Sequence, residues 1–233
     1  MSYIHQALFG IAPYLVVTVF VAGCIARFRR DQYSWQAASS QILSRRKLGI
    51  GSNLFHVGML ALVGGHVMGL LVPVELGHAF GVTDADHQRM ELIMGSTAGI
   101  ATLIGLTMLL YRRVRDLRVA RTGNVPDLAI AVVLWITLVL GLSTLPFSFA
   151  TRDTGEHLVA AGRWAQSIVT FRGGAASHLA TVPFVFKLHI VLGLSVLALF
   201  PFTRLVHIGS APVMYLLRGS YQIVRRPRRA RAA

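Results

Sequence analysis

The sequence predicts an all-α membrane protein: one domain over residues 1–233, folded as a five-helix transmembrane bundle. Three observations carry this. Charged residues make up 14% of the chain and hydrophobic ones 54%, whereas a soluble domain carries roughly 25% charged residues. The apolar residues gather in five runs, each long enough for the about 20 residues that cross a bilayer. A chain in lipid must satisfy its own backbone hydrogen bonds, so runs of this kind are helices.

The first run covers residues 4–26. It lacks a basic leading segment and a clear small-residue cleavage site, so it reads as a mature helix and not a signal peptide. The second, residues 48–73, holds His56 and His66. The third, residues 90–111, contains Gly95 and Gly99 at a spacing that suits helix packing. The fourth covers residues 126–148. The fifth, residues 182–207, holds His189 and His207 and carries Lys187 well inside it. There is no internal repeat, low-complexity stretch or soluble domain.

The connections set the expected topology. The net charge is +14, from 23 Lys and Arg against 9 acids. In a soluble protein this would point to nucleic acid. Here six basic residues fall in 27–47, five in 112–125 and six in the tail 218–233. Basic loops stay in the cytoplasm. The sequence therefore predicts a multi-pass protein of the cell's inner membrane, N-terminus outside, C-terminus and basic tail cytoplasmic, with no nucleic-acid partner. Cys24 is the single cysteine. That excludes a disulfide framework, a Cys-rich zinc site and an iron–sulfur cluster held by this chain alone. There is no C-x-x-C-H for covalent haem attachment.

An intramembrane histidine is a functional candidate by default, because its ring nitrogens need partners. The second and fifth spans run in opposite directions, so by depth His66 faces His189 near the outer side and His56 faces His207 near the inner side. Read as a continuous helix, the eighteen residues from His189 to His207 make five turns, which puts both on one face about 27 Å apart. His56 and His66 lie about 15 Å apart and about 80° around the axis. Metals held between the pairs would then sit about 21 Å from each other on the same rise. Haem iron suits such pairs, since imidazole is a standard axial ligand. Gly58, Gly65, Gly69 and Gly193 flank the histidines; they fit either helix packing or the close approach of a wide ring. From the residues alone, a histidine-lined transporter or proton channel stays open as a rival. The two histidine-bearing spans contain no Asp or Glu, which argues against a proton relay of the usual kind. His5, His78, His87, His157 and His178 fall at span ends or in outer connections.

Three stretches are more specific. SNLFHVGMLALVGGHVMGLLVP, WAQSIVTFRGGAASHL and KLHIVLGLSVLALFPFTRLVHIGSAPVMYL closely resemble the gamma subunit of respiratory nitrate reductase, as does YSWQAASSQILSRRK in the first inner connection. The resemblance runs from about Tyr14 to Arg226. It implies two b-type haems on His56, His66, His189 and His207, with His66/His189 holding the outer and His56/His207 the inner haem. It implies an iron–sulfur beta subunit and a molybdopterin-containing alpha subunit on the cytoplasmic side. Membrane quinol would be oxidised near the outer face, and its electrons would reach nitrate in the alpha subunit. The family's quinol-associated lysine at the outer start of the third span is matched here by His87, and its arginine two residues before the outer fifth-span ligand by Lys187. The expected quinol set is His87 with Gly65 and Arg89; the expected haem-propionate partners are Lys187 and Arg204. A dihaem subunit of another anaerobic reductase is the nearest alternative.

Overall fold

Five long helices, alternating in direction, account for most of residues 2–30, 45–115 and 125–208, which the computed structural model describes. Helix α1 is Tyr3–Arg30, with a π-helical stretch at Ala7–Ile11. Helix α2 is Arg45–His66 and continues as a π-helical turn, Val67–Leu71. A short α3, Val74–Ala79, leads to α4, Asp84–Arg115. Helix α5, Val125–Ser143, continues as α6, Leu145–Ala150. A connecting helix α7, Glu156–Val169, and a 3-10 turn at Ala175–Leu179 precede α8, Phe184–Leu199. Helices α1, α2, α4, α5 with α6, and α8 are long and apolar enough to cross a membrane, and no strand occurs among the described residues. The stretch YSWQAASSQIL, the centre of the loop 112–125 and the tail 218–233 lie outside those residues.

Glycine sets the closest helix pair. A Cβ at Gly58 would strike the Thr102 hydroxyl, and one at Gly105 would strike the backbone of Phe55, so α2 and α4 meet main chain to main chain. Gly58 thus packs against α4. Gly99 does the same for α4 on α5, where a Cβ would come within 2.8 Å of Leu142. From there the ring of neighbours runs α5 to α8 to α1. Among the described residues, α2 and α8 face each other without close packing of this kind.

One end of the bundle is capped. Helix α7 and the 3-10 turn bury Trp164, Ala165, Ile168, Ala176 and Leu179 against Phe9 of α1. The Trp164 indole donates to the Phe9 carbonyl at 2.9 Å, and Gln166 donates to the carbonyls of Leu70 (3.3 Å) and Val72 (3.2 Å). All three bonds satisfy carbonyls at π-helical or terminal positions, where intrahelical partners run out. Gly155 begins α7 with φ +65°, and a Cβ there would also approach the Asp84 carbonyl to 2.8 Å. Helix α7 ends with Phe171 at φ +57°. The Arg172 N–H reaches Ser167 and the Phe171 N–H reaches Ile168, a Schellman closure usually given to glycine. The Phe171 ring stacks on Tyr14 at 5.6 Å.

The fifth span departs from expectation. A continuous helix over residues 182–207 is not what forms. Helix α8 ends at Leu199, a 3-10 turn covers Phe200–Phe202, Thr203 is extended, and a second 3-10 turn covers Arg204–Ile208. Pro201 supplies the reason, because it lacks an N–H and its ring crowds the preceding turn. His189 and His207 therefore do not share the face of one helix, and the unbroken helical rise on which the spacing of about 21 Å rests is not present. His207 reaches its partner from a separate turn.

Candidate functional site

Two imidazole pairs lie between α2 and the α8 segment. The rings of His66 and His189 have centroids 6.1 Å apart, and those of His56 and His207 are 6.2 Å apart. These are the pairings that depth alone predicts. A metal ion midway would lie about 3 Å from each ring centre, which matches a metal–nitrogen bond of about 2 Å plus roughly 1 Å inside the ring.

The second nitrogen of each ring is already committed. His56 Nδ1 donates to the Ser52 carbonyl at 2.7 Å, and His66 Nδ1 to the Leu62 carbonyl at 2.7 Å. Both carbonyls lie one turn back on α2, where side chains lean toward the N-terminus. His189 Nδ1 crosses to α5 and donates to the Thr137 carbonyl at 3.0 Å. His207 Nδ1 donates to the Arg204 carbonyl. A carbonyl can only accept, so each bond places the proton on Nδ1 and leaves a lone pair on Nε2. Second-partner bonds of this kind fix ring orientation and tautomer in metal-ligating histidines.

Space and steric limits agree. A Cβ at Gly64, Gly65 or Gly193 would meet nothing within 4 Å, so the backbone beside His66 and His189 borders open room. Gly141 of α5 is the opposite case: a Cβ there would lie 2.9 Å from His189 Cε1. The His189 ring fits only because residue 141 has no side chain. Sequence reasoning missed Gly141, and also the carbonyls of Ser52, Leu62, Thr137 and Arg204. Among the described residues no three His, Cys, Asp or Glu side chains gather as a metal site. Two facing nitrogens suit a metal whose remaining positions are filled by a macrocycle, and haem fits this donor set.

The other expected site residues divide. His87 faces the π-helical turn that follows His66: its Nε2 would be 3.9 Å from a Cβ on Gly69, three residues beyond His66. Arg89 lies about 200° further round α4 from His87 and is tied to Asp153 at 2.8 Å and Asp86 at 3.8 Å. The Arg89 hydrogen bond holds the exposed Asp153 carboxyl below its usual range. Lys187 Nζ donates to the Ala180 carbonyl at 3.0 Å, at the entry to α8. Arg204 gives its own carbonyl to His207. Of the remaining histidines, His5 meets the Ala176 carbonyl at 2.8 Å, His78 pairs with Asp84 at 2.8 Å, and His157 packs on Phe186.

Comparison with known proteins decides the family. Residues 5–227 match the nitrate reductase gamma subunit family. The chain belongs to that family. It is 46% identical over 225 residues to the respiratory nitrate reductase 2 gamma chain of Escherichia coli K12, covering 97% of this chain and 98% of the relative. The respiratory nitrate reductase 1 gamma chain of the same strain is 44% identical, covering 97% and 99%. The nitrate reductase gamma chain of Bacillus subtilis 168 is 42% identical over 223 residues, covering 95% and 98%. As a gamma subunit with five helices able to cross a bilayer, the chain is the membrane-anchoring part of a multi-subunit oxidoreductase.

Proposed function

We propose that this subunit holds two b-type haems, oxidises membrane quinol and delivers the electrons to an iron–sulfur beta subunit and a molybdopterin-containing alpha subunit that reduces nitrate. One observation carries the reading: two histidine pairs at metal-spanning separation, each ring with Nδ1 locked on a carbonyl so that the ligating lone pair is on Nε2. When bound, haem supplies one-electron transfer, which no side chain here provides. Everything else falls to the chain. His66 and His189 define one site at the capped end. His56 and His207 define the other, at the end where the arginines of α1 and α4 collect. His87 lies beside Gly69 at the capped end, where an imidazole can accept a proton from a quinol hydroxyl. Lys187 and Arg204 are the cations closest in sequence to His189 and His207, and either can pair with an anionic edge of the bound group. The locked tautomers disfavour the proton-channel rival, since a relay histidine must exchange protons between both nitrogens.

The test uses the intact complex purified from membranes. His66→Ala and His189→Ala should each abolish one low-spin haem signal, and His56→Ala and His207→Ala the other. Two-component spectra that lose both signals equally in all four variants would defeat the pairing. A complex with no haem at all would defeat the reading.

A further inference from the structure

The break that ends α8 is held by α1, and the holding residue is Arg27. Its guanidinium Nη1 donates to the Pro201 carbonyl at 2.8 Å and to the Thr203 carbonyl at 2.9 Å. These two carbonyls lie on either side of Phe202, where the first 3-10 turn gives way to the extended Thr203. At such a break carbonyls lose their intrahelical donors, and in an apolar span an unmet carbonyl is costly. The contact is shaped as well as charged. Pro201 is fully buried, and a Cβ on Gly23, one turn before Arg27, would lie 2.8 Å from its ring. One turn before Gly23, Phe20 meets Phe200 edge-on at 5.1 Å. Residues 20, 23 and 27 thus form one stripe of α1 that grips residues 200–203.

Beyond the grip the chain enters the second 3-10 turn. Thr203 is buried and its Oγ1 accepts from the Leu205 N–H at 3.4 Å. Leu205 and Val206 are buried, and His207 then turns its ring toward His56. His207 has no regular helix beneath it. Its position depends on where the break places the turn.

From this we infer that Arg27 is a positioning residue for the His56/His207 site: by bridging the Pro201 and Thr203 carbonyls it sets the turn that carries His207. The inference rests on the haem reading above. Basic residues near the end of a span ordinarily read as topology determinants, and Arg29 and Arg30 sit beside Arg27 to serve that role. The two carbonyl bonds give Arg27 a different one. Both bonds leave one nitrogen, Nη1, so a lysine ammonium with three N–H donors keeps part of the bridge, limited by the different length and shape of its stem.

The test is spectroscopic and needs no turnover. In the purified complex, Arg27→Gln should shift or deplete the haem signal that His56→Ala abolishes, with retention at that site weakened about tenfold, the lower end for outer-shell partners of a ligand. The signal that His66→Ala abolishes should be unchanged. Arg27→Lys should restore the depleted signal in part. Gly23→Ala leaves the charge in place but presses on Pro201, and it should disturb the same signal; it decides the matter if Arg27→Gln does not accumulate. Unchanged spectra in Arg27→Gln, equal loss of both signals, or an undisturbed signal in Gly23→Ala when Arg27→Gln is absent would overturn the inference. Should His56→Ala itself remove no haem signal, it is the haem reading that fails.

Discussion

Gly141 and His189 are in contact because one residue has nothing to offer and the other needs the space. Adding a methyl group at 141 places it 2.9 Å from the His189 ring, so the ring or α5 must move. Gly141→Ala is expected to shift or deplete the His66/His189 haem signal while leaving the other intact, with an overpacking cost of about 1–3 kcal/mol. An unaltered spectrum would show that the ring relocates freely. His87 and Arg89 call for a paired test. His87→Ala should slow quinol oxidation by about 100-fold, the low end for a positioned proton acceptor, with both haems retained. Asp153→Ala, which removes the acceptor of the Arg89 hydrogen bond, should leave quinol oxidation unchanged, because Arg89 ties α4 to the loop after α6. Asp153 titrates below the ordinary carboxylate range, so this tie is complete above about pH 4 and is lost only as pH falls through the lowered value. Unimpaired quinol kinetics in His87→Ala would remove His87 from the site. The four histidines were legible in the sequence because a polar ring inside an apolar run has few explanations. The carbonyls that orient them were not, because any backbone position can supply one.

The α2–α4 pair shows what glycine does for an element. A Cβ at Gly105 would lie 2.7 Å from the Gly51 carbonyl and closer still to the Phe55 amide, and main chain cannot step aside as a flexible side chain can. Gly105→Ala should therefore separate the two helices and lower the thermal midpoint of the purified complex, at a cost of up to about 3 kcal/mol. Gly65 provides the contrast. No protein atom lies within 4 Å of a Cβ there, and alanine is the better helix former by about 1 kcal/mol. Gly65→Ala should leave stability intact or raised, so any change in haem spectrum or quinol kinetics in that variant must act through a bound group. A fall in stability at Gly65 matching that at Gly105 would refute the distinction. The five spans were legible from apolar run length. The cap was not, because a 14-residue amphipathic α7 within a polar connection gives no spanning signal. The break in the fifth span had a visible cue in Pro201, but the apolar run continued past it and masked the stop.

At the scale of the whole molecule, charge and site geometry share one axis. Arg27, Arg29 and Arg30 end α1, and Arg112, Arg113 and Arg115 end α4. The Arg27 bonds to Pro201 and Thr203 show that the same end of the bundle carries the His207 turn. The capped end carries His66, His189 and His87, with Arg89 held by Asp153. Along α2 alone the two sites are separated by about 15 Å, half of a roughly 30 Å hydrocarbon core. If the basic end is cytoplasmic, as charge bias predicts, electrons entering at the capped end would move inward to the proposed partner subunits. Protons released from quinol would leave on the opposite side and contribute to the proton-motive force. The orientation is therefore the premise on which that energetic role depends. It can be read with a reporter enzyme that is active only outside the cytoplasm. Fused after Arg226, it should be silent; inserted between Gly173 and Gly174, in the connection between α7 and α8, it should be active. Activity after Arg226 together with silence at Gly173 would invert the bundle, place quinol oxidation on the cytoplasmic side and remove the proton-motive contribution.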